Sequence, residues 1–402
     1  MRKIGYIKLS FLVLGVVLLQ SRIMYAQPNN KVSEAYQLLI KKDLNGAKAA
    51  IEQALSDSEV QKDAKAWYIK GFIYKEIYKN NEKDNPESPA RITAINALKK
   101  SISIEPTSNY AKESANVLKY LSATIKNDAG NYLNQGKHKD AVKLYEYYMD
   151  VYKSYESKLV DTSAYFYAGY CYYEIKDYDK ALTNFQQAYS LKYDNSTLYF
   201  LMSRVYVEKK DFNNAIKILE EGQKRYPKDK DLLYAQVNIY KDLNKMDELE
   251  TKLNKAISME PNNTDLLMLL AMVYERKMEA NVKNKTRYNE YKNKALECYN
   301  KVLKVNPNHL DANYNMGILY YNEAVTKIQE SEYETDLIAL SQLQDECIEI
   351  FKKSLPYMEK AYALDPYNKN VLLGLSGIYF SLNDEAKSNE FKAKYDALNN
   401  KK

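Results

Sequence analysis

An eight-residue phrase ending in tyrosine recurs along the chain, and its spacing constrains the fold more than any other feature. Four successive copies begin at residues 165, 199, 233 and 267, 34 residues apart. A fixed period of this length indicates a protein built by repeating one supersecondary unit. The copies are WYIKGFIY at 67, IKNDAGNY at 125, YFYAGYCY at 165, YFLMSRVY at 199, LYAQVNIY at 233, LMLLAMVY at 267, NYNMGILY at 313 and LLGLSGIY at 372.

A second phrase follows each of the best-spaced copies. Ala181, Phe185 and Ala188 show its spacing of four and then three, which places the three side chains on one face of a helix. Similar sets end at a proline, as at Pro227 and Pro261, where one helix stops and the next begins. With only 11 Gly and 9 Pro in 402 residues, the chain has few of the turn-forming residues that a protein built of β-sheets requires. Each period therefore predicts a pair of helices.

These residues resemble the tetratricopeptide repeat family, whose pattern is W-x2-L-G-x2-Y, then A-x3-F, then P. The resemblance covers nearly the whole mature chain and is most specific at 162–263. Phrases such as YNMGILYYNEAV are also similar to exported repeat proteins of Bacteroidota-type bacteria. The resemblance implies an all-α solenoid of about nine antiparallel helix pairs that binds partners and catalyses nothing.

The repeat pattern divides the chain into segments. They are a signal peptide at 1–26, an N-terminal helix pair at 27–60, a repeat with an insert at 64–107, a helical linker at 108–121, a repeat at 122–155, three regular repeats at 162–195, 196–229 and 230–263, a repeat with a basic insert at 264–309, a repeat with an acidic insert at 310–368, and a capping repeat at 369–402.

The last tyrosine of each phrase is predicted to be a core residue, wedged beneath the small residue that precedes it on the same helix. There are 40 tyrosines in the chain, so this role accounts for only part of them. The predicted core tyrosines are Tyr74, Tyr132, Tyr172, Tyr206, Tyr240, Tyr274, Tyr320 and Tyr379.

The N-terminal segment predicts export. Arg2, Lys3 and Lys8 flank the apolar run LSFLVLGVVLL, which is too short to span a bilayer comfortably, and a polar stretch leads to a cleavage point near Ala26 and Gln27. An uncleaved anchor is the weaker alternative. Cleavage after Ala26 would remove four basic residues and no acidic residue, which lowers the formal charge from +6 to +2. The charge of the mature chain therefore does not favour nucleic acid as a partner.

The sequence predicts no catalytic residue, metal site or cofactor. His138 and His309 stand alone, without a second ligand at metal-binding spacing. The string GLSG at 374–377 lacks the spacing of a nucleophile elbow. Cys298 and Cys347 could pair in an oxidising compartment, but buried free thiols, Cys171 included, are the favoured interpretation.

The family resemblance implies a binding groove lined by the first helix of each pair. Tyrosine and methionine suit such a surface because they offer large, adaptable contact area. Packing between neighbouring repeats is the competing interpretation. The candidate groove residues are Tyr68, Phe72, Phe166, Tyr170, Tyr173, Phe200, Arg204, Tyr234, Asn238, Met268, Met272, Tyr314, Ile318 and Tyr321.

Some members of the family bind a C-terminal carboxylate with lysine and asparagine from two neighbouring repeats. Lys126 and Asn127 match that pattern, but Gly130, Ser163 and Tyr167 depart from it. Recognition of chaperone tails is therefore not expected.

Two inserts of opposite charge occupy equivalent places in adjacent repeats. Residues 276–294 carry seven basic and two acidic groups, and residues 323–350 carry eight acidic and one basic. Lengthened helices that lie side by side are expected, with separate docking faces as the alternative. Pro356 is expected to open or to kink the following helix.

The predicted function is a non-enzymatic scaffold of the bacterial envelope that binds extended or helical peptide segments. The partner is a protein or peptide, and the sequence leaves its identity and the oligomeric state open. Two alternatives are a structural part of an envelope assembly that uses the outer face and inserts, and an accessory that presents a glycan or other substrate to an envelope enzyme.

Overall fold

A computed structural model describes residues 30–156, 159–331 and 336–399. Over these ranges it contains eighteen α-helices and no strand. The chain divides into two compact units, one ending at Tyr193 and the other beginning at Asp194. The predicted signal peptide at 1–26 lies outside the described residues.

The first unit contains four helix pairs. A short 3-10 helix at Val60–Lys62 precedes the second pair, and a π-helical turn at Tyr78–Glu82 lies within it. The helices are α1 (Asn30–Ile40), α2 (Leu44–Ala54), α3 (Ala64–Ile77), α4 (Pro89–Ile104), α5 (Asn109–Asn134), α6 (His138–Tyr155), α7 (Thr162–Glu174) and α8 (Tyr178–Ser190).

The second unit contains five helix pairs. Its helices are α9 (Ser196–Glu208), α10 (Phe212–Arg225), α11 (Lys230–Asp242), α12 (Met246–Met259), α13 (Thr264–Glu279), α14 (Lys285–Val305), α15 (Leu310–Glu330), α16 (Leu337–Leu364), α17 (Lys369–Ser381) and α18 (Glu385–Asn399).

Within each unit, every helix packs on the next one along the chain, and the first helices of several neighbouring pairs also touch, as α1 and α3 or α9 and α11 do. This is the stacking of a helix-pair solenoid, in which each repeat contacts its neighbours. The predicted all-α fold is confirmed.

A recurring turn joins the two helices of a pair. Lys176, Lys210 and Asn244 adopt the left-handed conformation, with φ of 63°, 60° and 54°. The next residue in the first two turns is Asp177 or Asp211, whose carboxylate accepts a backbone N–H of the second helix. The left-handed residue ends one helix and the aspartate caps the next, so three residues reverse the chain.

Small residues let neighbouring helices approach closely, both within a pair and between adjacent pairs. A Cβ added at Gly169, three residues before Tyr172, would lie 2.6 Å from Cδ1 of Phe185 on the partner helix. A Cβ at Gly374 would lie 2.5 Å from Cε of Met358. The GLSG string lies in the middle of α17, where its small residues allow close packing.

One predicted boundary differs in the structure, and one of the two roles expected of Pro356 is excluded. The predicted linker at 108–121 and the first helix of the next repeat form one continuous helix, α5, because Ala111, Leu118 and Ile125 keep an unbroken buried face. Pro356 lies inside α16 and so does not open a helix.

Candidate interaction surfaces

The repeat tyrosine joins three helices. Tyr172 donates its hydroxyl to Glu146 Oε1 at 2.5 Å, on the second helix of the preceding pair. Lys180 Nζ, on the helix that follows, lies 5.1 Å from the centre of the Tyr172 ring. Burial, then the hydrogen bond to Glu146, raises the pKa of Tyr172, so the hydroxyl stays protonated and donates.

The same arrangement recurs in both units. Tyr274 donates to Glu250 Oε1 at 3.0 Å, and Lys294 Nζ lies 5.6 Å from its ring centre. Equivalent hydroxyl donations join Tyr74 to Glu52 at 2.8 Å and Tyr379 to Glu359. These tyrosines fix one repeat against the next through ring packing, a hydrogen bond and a cation–π contact.

The prediction that all eight repeat tyrosines are core residues is half right. Tyr172, Tyr240, Tyr274 and Tyr379 are buried, with 3–6% of each residue exposed. Tyr74, Tyr132, Tyr206 and Tyr320 are only half-buried. The hydroxyl of Tyr74 reaches Glu52, whose side chain is 41% exposed, so this tyrosine lies at the edge of the core.

An aromatic patch lies on the first helices of three consecutive pairs in the first unit. The Tyr68 ring is 6.0 Å from the Phe72 ring and 5.7 Å from the Tyr110 ring, measured between centres. Tyr36 is 44% exposed and close enough to contribute to the raised pKa of both Tyr68 and Tyr110. We call Tyr36, Tyr68, Phe72 and Tyr110 the N-terminal aromatic cluster.

Acidic side chains accompany this cluster. Burial, followed by Glu113 and the two neighbouring tyrosines, raises the pKa of Tyr68 to about 12. Burial, followed by Asp63, Tyr36 and Glu105, raises the pKa of Tyr110. The cluster therefore presents neutral phenol groups beside carboxylates, a surface that accepts apolar side chains and hydrogen-bond donors.

Sequence reasoning selected Tyr68 and Phe72 but missed Tyr36 and Tyr110. Tyr110 fell in the segment predicted to be a linker, and Tyr36 in a helix pair without the repeat phrase. A signal exists for Tyr110, which lies in the first turns of a first helix as Tyr68 does; Tyr36 lies past the middle of α1 and shows no such signal.

The candidates on α7 pack within the first unit to different degrees. Phe166 is buried, with its ring 4.9 Å from Tyr193 and 6.1 Å from Phe185. Two aromatic neighbours cover it, so for Phe166 the structure favours the competing interpretation, packing between neighbouring helices. Tyr170 and Tyr173 are half-buried, and the Tyr170 ring meets His138 edge-on at 5.9 Å.

The candidates on α9, α11 and α13 are more accessible. Arg204 and Asn238 are exposed, and the others are half-buried; these are Phe200, Tyr234, Met268 and Met272. Tyr234 hydrogen-bonds Glu260, which also accepts Lys230 at 2.5 Å and Asn263 at 2.7 Å. Tyr234 thus has an internal partner while part of its ring remains accessible.

The candidates on α15 are half-buried and pack on the C-terminal core. Tyr314, Ile318 and Tyr321 all contact the cluster formed by α15 to α18. The Tyr321 ring centre lies 5.6 Å from that of Phe351. These residues contribute to intramolecular packing, and their use by a partner stays a prediction.

Lys126 is engaged inside the molecule. Its Nζ lies 2.6 Å from Asp161 Oδ2 and 3.0 Å from Ser163 Oγ. Tyr148 donates to the same Asp161 oxygen at 2.6 Å. This network fixes the start of α7 and gives Lys126 partners inside the molecule.

The basic and acidic inserts touch one another. Lys292 Nζ lies 2.8 Å from Glu323 Oε1, and Lys285 Nζ lies 2.9 Å from Glu330 Oε2. Both pairs join the lengthened helices α14 and α15. The intramolecular interpretation is therefore confirmed for these two pairs.

The cysteines are poorly suited to nucleophilic chemistry. All three are buried free thiols. Burial raises the pKa of Cys171 to about 12 and that of Cys298 to about 11, so neither is a thiolate at neutral pH. Among the described residues, no group of three His, Cys, Asp or Glu side chains could hold a metal ion.

Family models match the central part of the repeat region. One model described as tetratricopeptide repeat matches residues 129–197, and a second with that description matches 172–239. No curated protein matches the chain.

Several solved structures are similar to this chain. The C-terminal part of a TPR repeat-containing protein from Cytophaga hutchinsonii is 16% identical, with 69% of this chain and 96% of that one covered and a TM-score of 0.47. YrrB, described as a TPR protein with an unusual peptide-binding site, is 18% identical, with 54% and 96% covered and a TM-score of 0.37. A double mutant of MamA from RS-1 is 17% identical, with 52% and 96% covered and a TM-score of 0.38.

The family matches fall on the central repeats, where the 34-residue spacing is most regular and where α5 to α11 form successive helix pairs. Residues 129–239 of this chain match tetratricopeptide repeats.

Proposed function

We propose that this protein is a non-enzymatic scaffold that binds segments of partner proteins on the first helices of its repeats. The N-terminal aromatic cluster carries the proposal. It combines four aromatic side chains from three consecutive pairs, which gives a larger contact area than one repeat could supply. Aromatic anchors of this kind dominate the binding energy of many protein interfaces.

The chemistry of the cluster indicates what it binds. Tyr68 and Tyr110 each offer a rigid ring and a protonated hydroxyl, with Glu113 raising the pKa of Tyr68 and with Asp63 and Glu105 raising the pKa of Tyr110, in addition to burial. A peptide with apolar side chains and one or more basic groups would satisfy both properties.

We also propose that the protein works in the bacterial envelope after export. The order of basic, apolar and polar residues in 1–26 supports export and cleavage near Gln27. No helix among the described residues combines the length and apolarity that a membrane span requires. A periplasmic mature chain is part of the proposal.

The test is to capture partners from an envelope extract on the immobilised chain beginning at Gln27, with mild crosslinking. The matched bait carries Tyr68→Ser and Tyr110→Ser, and the control bait carries Tyr367→Ser, whose parent residue is 76% exposed outside the cluster. We expect the wild-type bait to capture proteins or peptides that the control bait also captures and that the double-variant bait does not. Enrichment of glycan, or equal capture by all baits, would overturn it.

A further inference from the structure

Most repeat tyrosines of this protein carry a lysine of the same chain on the ring. Lys180 Nζ lies 5.1 Å from the ring centre of Tyr172, and Lys387 Nζ lies 4.6 Å from that of Tyr379. Such contacts are stabilising because the negative face of the ring attracts the ammonium group. A lysine lies over the ring in the same way, at 5.4 to 6.0 Å, in Tyr74, Tyr132, Tyr240 and Tyr274.

The tyrosines of the N-terminal aromatic cluster lack such a lysine. In the part of the chain that the structure describes, no lysine or arginine lies on the ring of Tyr36, Tyr68 or Tyr110. Within the cluster, Lys75 Nζ instead lies 3.9 Å from the centre of the Phe72 ring. Part of each tyrosine ring is accessible, since Tyr36 is 44% exposed and the other two are half-buried.

A carboxylate lies beside these rings. Glu113 follows Tyr110 by three residues on α5, which places both side chains on one face of that helix. After burial, Glu113 makes the largest contribution to the raised pKa of Tyr68 on α3. Glu113 is exposed and has no ion-pair partner among the described residues. Its charge is therefore available to a partner.

Three lysines lie within three residues of Tyr68 or Tyr110 in the sequence, but none supplies a cation to these rings. Lys70 is engaged in an ion pair at 3.0 Å. Over the described ranges, the side chains of Lys65 and Lys112 form neither an ion pair nor a cation–π contact. The groups that shift the pKa of the two tyrosines are carboxylates and other tyrosines only. The charge complementary to this surface is therefore positive.

We propose that a cationic side chain of the bound segment, lysine or arginine, lies against the rings of Tyr68 and Tyr110 with its charge beside Glu113. The two ring centres are 5.7 Å apart, so one long side chain can contact both. Glu113 then determines that the segment carries a positive charge at this point. This inference rests on the proposed function, because it places one side chain of a partner that is bound at the N-terminal aromatic cluster.

The first step of the test selects short displayed random peptides on the chain beginning at Gln27. Peptides that also bind a bait carrying Tyr68→Ser and Tyr110→Ser are discarded, so the remaining peptides depend on the cluster. We expect the remaining peptides to share a position that is lysine or arginine.

The second step measures the affinity of a selected peptide by fluorescence anisotropy, with its shared basic residue either retained or changed to glutamine. The basic form should bind the wild type about tenfold more tightly, because an ion pair and a cation–π contact each contribute severalfold at partly exposed sites. On Glu113→Gln this ratio should fall to about threefold, because only the contact with the rings remains. The control Glu87→Gln changes an exposed glutamate of the first unit outside the cluster and should keep the wild-type ratio.

The variant Glu113→Gln should melt like the wild type, since Glu113 is exposed. Cluster-dependent peptides without a shared basic residue, or the same ratio on the wild type and on Glu113→Gln, would overturn this inference and leave the proposed function intact. Absence of any cluster-dependent peptide would also overturn it. The proposed function itself fails only if capture from the envelope extract is independent of the cluster as well.

Discussion

The carboxylate of Asp161 should stabilise the first unit in a pH-dependent way. It caps α7 and accepts Lys126 Nζ and the Tyr148 hydroxyl, both at 2.6 Å. Burial alone would raise the pKa of Asp161. The hydrogen bonds from Lys126, Ser163 and Tyr148 together have the larger effect and lower this pKa from 3.8 to about 2. The change to test is Asp161→Asn, which keeps the shape and the cap but removes the charge.

The size of the effect follows from the pKa. The ionised form is favoured by folding when the pKa is lower in the folded state, so a shift from 3.8 to about 2 contributes about 2 kcal/mol above the unfolded pKa. This contribution is fully present near pH 7. It is lost as the pH falls from roughly 4 toward 2, because both states then become protonated.

The assay uses urea unfolding followed by the fluorescence of Trp67, the only tryptophan, which lies in the first unit. The control is Asp177→Asn, which changes another capping aspartate, at the start of α8. Asp177 lies 3.7 Å from Lys180 Nζ in an ion pair that is largely exposed to solvent. We expect Asp161→Asn to lower the free energy of unfolding by about 2 kcal/mol at pH 7, and the control by less than about 1 kcal/mol.

The pH dependence decides the interpretation. The deficit of Asp161→Asn relative to the wild type should shrink between pH 5 and pH 3. An equal deficit in the two variants, or a deficit that stays constant over this range, would refute the charge-based account.

Four further predictions address other parts of the molecule. Tyr274→Phe should lower the free energy of unfolding by about 1 kcal/mol and Tyr274→Ala by about 3 to 5 kcal/mol in urea titrations; equal effects would contradict the packing role. Lys292→Ala, which breaks a buried ion pair, should lower the free energy of unfolding by about 2 kcal/mol, and Lys285→Ala, which breaks an exposed one, by less than about 0.5 kcal/mol. If unfolding followed by circular dichroism gave the reverse order, the inserts would not be packed side by side. Lys210→Gly should raise the free energy of unfolding by about 0.5 to 1 kcal/mol, because its φ of 60° suits glycine, and a lower urea midpoint would count against this. Mass spectrometry of the exported protein should find an N-terminus within a few residues of Gln27, and an intact Met1 would disprove cleavage.

The fold was largely predictable because its determinants are local and periodic. The 34-residue spacing predicts the helix pairs, and the small Gly169 opposite the large Phe185 determines how closely two helices of a pair approach. The left-handed Lys176 and Lys210 were not predicted, because lysine rarely adopts this conformation and only the tertiary turn requires it.

The candidate site was less predictable because exposure depends on neighbours from other helices. Phe166 and Tyr170 lie on the same helix, yet Phe166 is buried by Tyr193 and Tyr170 is not fully covered. Tyr36 and Tyr110 lie outside the repeat phrase, and their proximity to Tyr68 appears only when the first three pairs are stacked.

The most direct test of the central claim is a paired measurement on Tyr68→Ser with Tyr110→Ser, using the protein partner most enriched by the wild-type chain. The account predicts a loss of affinity of about a hundredfold or more, since two aromatic anchors are removed. Tyr68 and Tyr110 are half-buried, so the double variant should melt below Tyr367→Ser, which should bind like the wild type. Affinities are therefore compared at a temperature at which both variants are fully folded. Wild-type affinity in the double variant, or a loss of affinity that only follows a large drop in melting temperature, would contradict the claim that this aromatic cluster binds the partner.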